Sequence, residues 1–176
     1  MNYVEKEIKI LEIDPSELIE RLILLGAREV FNGQRIITHF DHKDLQLTKK
    51  GNNIKLTEEA KLKVSIDSTL ETSERESIKF TISRKEEFIE FLKRLDIYPI
   101  TQCVSQRISF ELEGVDFDID TFPQIHSFLE FDTERSSYSE RTILEKLNLQ
   151  DREMIRCSTP EVYRKYGLDY FDIFKI

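Results

Sequence analysis

Short segments in which polar and apolar residues alternate recur along most of this chain. In the segment 115–121, every second residue is an aspartate, and the residues between the aspartates are apolar. A period of two is typical of a β-strand that has one polar and one apolar face. Most links between such segments are short, so we expect antiparallel pairing, and eight strands are enough to close a barrel with a small interior. The eight predicted strands are 3–12, 35–40, 54–57, 61–66, 75–82, 105–113, 115–121 and 128–133.

Helices are predicted at four places between and after the strands. The first has Asp14 as its N-cap and Pro15 at its first helical position. The second begins with Ser83 and Glu86, which have the spacing of a capping box. No internal repeat or linker is present, so we expect one domain over residues 1–176. The predicted helices run from Asp14 to Gly26, from Ser83 to Leu95, over 139–147 and from Thr159 to Gly167.

The direction in which the charged strand faces point decides what such a fold can do. In an ordinary half-buried sheet, the charged faces lie in solvent. The amphipathic helices, however, need an apolar surface to pack on. If they cover the outside of the strands, the charged faces point inward, where the charges must pair with one another or hold ions. The alternation alone leaves both arrangements open.

The charge balance and the cysteine content narrow the classes of partner. A formal net charge of −8 argues against nucleic-acid binding, although local clusters of lysine and arginine can still bind a small anion. Cys103 and Cys157 form no zinc motif, and we expect reduced thiols. The first residues lack the apolar core of a signal peptide, and no segment has the about 20 apolar residues of a membrane span. We therefore expect a cytoplasmic protein that binds no membrane.

A set of short motifs then follows in a characteristic order. Glu5, Glu7 and Lys9 form an E-x-E-x-K pattern, which places all three on one face of the first strand. In this order, the motifs resemble the CYTH family of triphosphate-tunnel metalloenzymes over nearly the whole chain. The later motifs are His39–Asp41, Asp44–Leu47 with Gly51, Ile54–Thr57, Ser105–Arg107 with Phe110, Val115–Asp120, Phe128–Asp132, and Pro160–Tyr163 with Gly167.

The resemblance implies an α+β fold, mainly β, in which an eight-stranded antiparallel barrel forms a tunnel with helices packed on the outside. It also implies that basic residues bind a triphosphate and that acidic residues hold Mg²⁺ or Mn²⁺. Carried over by position, the catalytic residues are Glu5, Glu7 and Lys9. The phosphate-binding residues are Lys9, Lys55, Lys61, Lys63, Lys79 and Arg107. The metal ligands are Glu5, Glu7, Asp118, Asp120, Glu130 and Asp132.

Two registers stay open within this set. Lys61 and Lys63 compete for one family position, and the E-x-E-like stretch from Glu74 to Glu76 has no fixed register. Simple alternation along that strand directs Lys79 to the charged face. Asp118 and Asp120 share one face, and either of them can be the inward acid of the family.

Several positions depart from the family pattern. Thr57 and Ser105 stand where the family has basic residues, and Lys55 cannot make the bidentate contact that arginine makes with phosphate. Each lost charge-assisted contact costs about 1.5–3 kcal/mol. Two hypotheses therefore remain. The first is a metal-dependent enzyme that cyclises ATP, as an adenylate cyclase does, or hydrolyses ATP, thiamine triphosphate or tripolyphosphate. The alternative is a catalytically weak or inactive module that binds a phosphorylated ligand or serves as an interaction scaffold.

The C-terminal segment is rich in aromatic residues. Tyr170, Phe171 and Phe174 lie within five residues of one another. Such a tail indicates either a buried C-terminus or a self-association surface, and in the second case we expect a homodimer.

Overall fold

The computed structural model describes residues 3–4, 8–69, 75–133 and 135–176, and the chain forms two compact units. Two long strands, β3 (Arg28–Asp41) and β7 (Tyr98–Leu112), run from one unit into the other. Unit 1 comprises Met1–Glu5, Arg35–Val104 and Leu168–Ile176, and unit 2 comprises Lys6–Gln34 and Ser105–Gly167.

Unit 2 contains an antiparallel sheet in the order β7-β8-β9-β2. A tight turn at Gly114 joins the first two strands. Gly114 has a φ of +82°, and a Cβ atom there would lie 2.4 Å from the carbonyl oxygen of Arg135, so only glycine fits this turn. The other strands of this sheet are β2 (Ile8–Ile10), β8 (Val115–Thr121) and β9 (Phe128–Asp132).

Three helices belong to unit 2: α1 (Pro15–Leu24), α4 (Glu140–Leu147) and α5 (Thr159–Lys165). Asp14 caps α1 by accepting hydrogen bonds from the backbone amides of Ser16 and Glu17 at 2.8 and 3.1 Å. Helices α1 and α4 pack on the apolar face of the sheet, so the charged residues of the same strands lie on the opposite face. The core consists of Ile8, Ile10, Ile13, Leu18, Leu22, Phe110, Val115, Phe117, Ile119, Leu129, Phe131, Ile143, Leu144 and Leu147.

The strands of unit 1 pair antiparallel in the order β1-β6-β5-β4-β3. Its strands besides β3 are β1 (Tyr3–Val4), β4 (Asn52–Glu58), β5 (Leu62–Thr69) and β6 (Arg75–Ile82). Helix α3 (Lys85–Lys93) packs on its apolar face, and the short helices α2 (Gln46–Lys49) and α6 (Tyr170–Ile173) complete the unit. The core consists of Phe40, Ile54, Leu56, Val64, Leu92 and Ile97.

These elements confirm the predicted fold class, an α+β fold built mainly from antiparallel strands with helices on their apolar side. The first predicted strand is present as β1 and β2, on either side of residues 5–7, which lie outside the described residues. Strands β3 and β7 begin seven residues before the predicted segments, at Arg28 and Tyr98. The predicted Ser83 cap is wrong: the N-cap of α3 is Arg84, whose side chain makes no capping hydrogen bond.

The aromatic C-terminal segment packs within unit 1. Tyr170 is buried. The rings of Tyr170 and Phe171 each pack edge-to-face with the ring of His39, at centroid distances of 5.5 and 5.4 Å. The carbonyl oxygen of Phe174 accepts a hydrogen bond from the backbone amide of Gln102 at 2.9 Å. Of this segment, Tyr170 is buried, Phe171 and Phe174 are partly buried, and Ile176 is 67% exposed, so the prediction of a buried C-terminus holds only in part. The homodimer stays a prediction.

Within the described parts of the chain, none of the helices combines the length and the apolar character that a bilayer crossing requires.

Asp41 organises the segment after β3. Its buried carboxylate accepts hydrogen bonds from the backbone amides of His42, Leu47 and Thr48 at 2.7, 2.9 and 2.9 Å, and from the Thr48 hydroxyl at 2.7 Å. Burial raises the pKa of this carboxyl, but the four hydrogen bonds outweigh burial and lower the pKa below its ordinary value of 3.8. The ionised carboxylate is therefore the form that the fold stabilises.

We expect Asp41→Asn to lower the free energy of unfolding by about 1.5–3 kcal/mol at neutral pH, because hydrogen bonds to a charged acceptor are lost. A carboxyl with a lowered pKa in the folded state stabilises the fold above its unfolded pKa and loses that effect as the pH falls. Urea unfolding at pH 6 and pH 3 should therefore show a smaller difference at pH 3. Asp44→Asn, at an exposed position, is the control. An equal difference at both pH values would contradict the prediction.

Candidate functional site

The charged face of unit 2 carries a lysine–glutamate pair on neighbouring strands. Lys9 on β2 lies directly opposite Glu130 on β9. The Lys9 Nζ is 2.9 Å from Glu130 Oε2, and the two side chains are 4% and 11% exposed. Alternation places Ile8 and Ile10 in the core, so Lys9 must point to the other face. Two residues predicted for one site from separate motifs are thus in direct contact.

Arg107 on β7 binds two aspartates of β8. Its Nε and Nη2 donate to Asp120 Oδ1 and Oδ2 at 2.7 and 2.5 Å, and its Nη1 donates to Asp118 Oδ2 at 2.5 Å. The Ser109 hydroxyl donates to the other oxygen of Asp118 at 2.5 Å. The Nη2 of Arg107 also lies 3.8 Å from Glu130 Oε1. All donor nitrogens of this guanidinium are thus directed at carboxylates.

Burial makes this network electrostatically strong. Asp120 is fully buried, and Arg107 is 7% exposed. Burial lowers the pKa of Arg107, but the carboxylates of Asp120 and Asp118 outweigh burial and raise it, so the guanidinium stays charged. Burial raises the pKa of Asp118 above its ordinary value, and the attraction of Arg107 opposes this shift. Charges buried in this way need partners to be tolerated, and here the partners are other side chains of the network.

The end of the charged face near the Gly114 turn is more open. Asp132 on β9 is half-buried and lies opposite Asp116 on β8, which pairs with Arg135. Hydrogen bonding and attraction to Asp116 raise the pKa of Arg135. Asp132 therefore lies two residues from Glu130 on the same face of β9, in a position from which both carboxylates can share a ligand.

Unit 1 has a polar face of its own, and it carries three of the predicted phosphate-binding residues. Lys55 on β4, Ser65 on β5 and Lys79 on β6 lie opposite one another in one row across the sheet. Ser65 is buried, and its hydroxyl has no hydrogen-bond partner among the described residues. Lys63 lies two residues from Ser65 on the same face of β5, and its Nζ is 2.5 Å from Glu59 Oε1.

The structure resolves the registers that the sequence leaves open. Lys63 lies within β5, whereas Lys61 lies in the turn between β4 and β5, and both lysines are exposed. On β6, Lys79 shares a face with Ser77, so Glu76 belongs to the other face. Glu5, Glu7 and Glu74 lie outside the described residues.

Two buried groups on the polar face of unit 1 were not predicted. Asp67 accepts a hydrogen bond from the Ser77 hydroxyl at 2.7 Å, and both residues are buried. His39, opposite Lys55, pairs through Nδ1 with Asn53 Oδ1 at 3.0 Å. The signal for Asp67 is the alternation of Lys63 and Ser65, which continues one step beyond the predicted strand end.

Comparisons with known proteins support the fold. The sequence matches no protein-family model, and no curated protein matches it. A solved structure from Vibrio parahaemolyticus, named a "putative adenylate cyclase", has a TM-score of 0.76 at 17% identity and covers 92% of this chain and 98% of its own. One with the same name from Bacillus halodurans has a TM-score of 0.60 at 15% identity, covering 90% and 95%.

A third similar structure is a "putative adenylyl cyclase" from Hippeastrum that is described as having a dominant triphosphatase activity. Its TM-score is 0.63 at 13% identity, and the match covers 94% of this chain and 98% of the other. This chain shares the fold of proteins named adenylate cyclases. At these identities the likeness concerns the fold, in agreement with the fold that the sequence motifs predict.

Proposed function

We propose that the protein is a divalent-metal-dependent enzyme that acts on the triphosphate group of a small molecule. The observation that carries the proposal is the buried charged face of unit 2, where Lys9, Arg107, Asp118, Asp120 and Glu130 form one network opposite the apolar core. Buried charges of both signs are costly, so a network of them is a candidate binding site for an ion or a polar ligand.

The chemistry of the carboxylates suits a hard divalent cation. Mg²⁺ and Mn²⁺ prefer carboxylate oxygens, and Glu130 and Asp132 offer them from one face of β9. The described residues alone contain no group of three potential ligands arranged around one point. Glu5 and Glu7, from the E-x-E-x-K motif, would complete the set. A bound cation of this kind neutralises phosphate charge and orients the attacking oxygen.

The lysines of unit 1 are the candidates for phosphate binding there. Lys55 and Lys79 lie opposite Ser65 on the two neighbouring strands, and a phosphate oxygen would give the buried Ser65 hydroxyl a hydrogen-bond acceptor. Lys63, on the same face, adds positive charge. The positive charges of these three lysines support an anionic ligand rather than a neutral one.

The similar structures named adenylate cyclases, and the one described as a triphosphatase, support two reactions on the same group. Cyclisation of ATP releases pyrophosphate and forms cyclic AMP, whereas hydrolysis releases phosphate. We expect turnover of ATP, thiamine triphosphate or tripolyphosphate with Mg²⁺ or Mn²⁺, and none with EDTA. Product analysis by ion chromatography separates the two reactions.

The alternative, a non-catalytic module that binds a phosphorylated ligand, is favoured by the pairing of Lys9 and Arg107 with carboxylates. Tripolyphosphate at about 100 times its Kd should stabilise a binding protein by about 2.7 kcal/mol, which raises Tm by about 5–10 °C. A Tm increase without turnover would identify the binding module. If the protein shows no turnover and tripolyphosphate does not raise its Tm, both functions are excluded.

A further inference from the structure

Arg107 has a different set of contacts from the one that a phosphate-binding arginine needs. Its Nε and Nη2 form a bidentate contact with Asp120, and its Nη1 donates to Asp118. A guanidinium binds phosphate through the same planar edge that is here occupied by a carboxylate. Arg107 would have to break two buried contacts before it could bind a ligand.

The pairing is built into the strand register. Arg107 and Asp120 lie directly opposite each other on β7 and β8, and Asp118 in turn lies opposite Glu130 on β9. The hairpin turn at Gly114 fixes this register, so Arg107 and Asp120 are direct neighbours across the two strands. The arginine therefore supplies the positive charge that these two aspartates would otherwise take from a metal ion.

We propose that Arg107 is a positioning residue that neutralises and holds Asp118 and Asp120, so that neither aspartate ligates the metal and the arginine does not bind the phosphate. Glu130 and Asp132 are then the metal ligands among the described residues. Arg107 lies next to Glu130, with 3.8 Å between Nη2 and Oε1. The assignment of Glu130 and Asp132 as metal ligands rests on the proposed function, whereas the role of Arg107 rests on its contacts with Asp118 and Asp120.

A thermal double-mutant cycle tests the contacts. Removing one partner of a buried ion pair is strongly destabilising, whereas replacing both with apolar residues is tolerated, so we expect Arg107→Met and Asp120→Leu each to lower Tm by about 10 °C. The double variant should recover part of that loss, but not all of it, because Asp118 still lacks its contact with Arg107. Arg107→Lys keeps the charge but lacks the fork, so it should recover less than half of the loss caused by Arg107→Met. Additive Tm losses in the cycle would overturn the proposal.

Binding measurements on the folded double variant test whether Arg107 binds phosphate and whether Asp120 binds the metal. We expect its affinity for tripolyphosphate in EDTA, measured by calorimetry, and for Mn²⁺, measured by electron paramagnetic resonance, to stay within about threefold of the original chain. The positive control is Asp132→Asn, which should weaken Mn²⁺ binding at least about tenfold. A tenfold loss of either affinity in the double variant would overturn the proposal. If the original chain binds neither ligand, the proposed function fails and the Tm cycle alone decides the role of Arg107.

Discussion

Replacing Phe117 with alanine is expected to lower the free energy of unfolding by about 3–5 kcal/mol. Phe117 lies at the centre of the β8 apolar face, is 1% exposed, and stacks on Phe131 with ring centroids 6.3 Å apart. Its removal takes apolar surface from the core of unit 2 and leaves a cavity that the surrounding strands and helices cannot fill. Two neighbours in the same sheet, Asp116 and Asp118, depend on this packing for their position on the charged face.

The matched control is Phe91→Ala. Phe91 lies on α3 and is 57% exposed, so the same chemical change there should alter the free energy of unfolding by less than about 1 kcal/mol. Urea unfolding followed by circular dichroism measures both variants. A loss below 1 kcal/mol for Phe117→Ala would mean that the alternation of β8 does not place its apolar residues in a packed core, and the assignment of the charged face would fail with it.

The strands with clean alternation could be predicted from the sequence because each has one buried apolar face. Strands β8 and β9 begin at the predicted residues, Val115 and Phe128. The first half of β3 could not be predicted, because its residues are mostly exposed and no apolar periodicity marks them. Helix α2 was missed for a similar reason: it has four residues, none of them buried.

Part of the candidate site could be predicted by the same alternation, which assigns Lys9 and Glu130 to charged faces. The register of one strand pair, β7 and β8, could be derived from the sequence. The two-residue turn at Glu113 and Gly114 sets Leu112 opposite Val115, and counting back from there places Arg107 opposite Asp120. The contact of Lys9 with Glu130 could not be derived in this way, because β2 and β9 are distant in the chain and no turn fixes their register.

The Lys9–Glu130 pair leads to the prediction with the largest functional effect. We expect Lys9→Met and Glu130→Leu each to lower the free energy of unfolding by about 3–5 kcal/mol, because each removes the opposite charge that lies 2.9 Å from a buried one. The double variant removes both charges and should recover at least half of the lost stability. Its turnover of a triphosphate substrate with Mg²⁺ is nevertheless expected to fall at least about 100-fold, since the proposed site loses both a cation and a metal ligand.

The control is an exposed ion pair with a similar nitrogen–oxygen distance. Arg141 and Glu145 on α4 pair at 3.1 Å with side chains 88% and 55% exposed, and replacing both should change the free energy of unfolding by less than about 1 kcal/mol without an effect on turnover. Unfolding in urea and phosphate release are measured on all variants. A stable Lys9→Met/Glu130→Leu protein that keeps full turnover would show that the buried pair takes no part in the reaction. Stability regained together with activity lost would show instead that the pair is kept for chemistry, since the fold tolerates its replacement by apolar side chains.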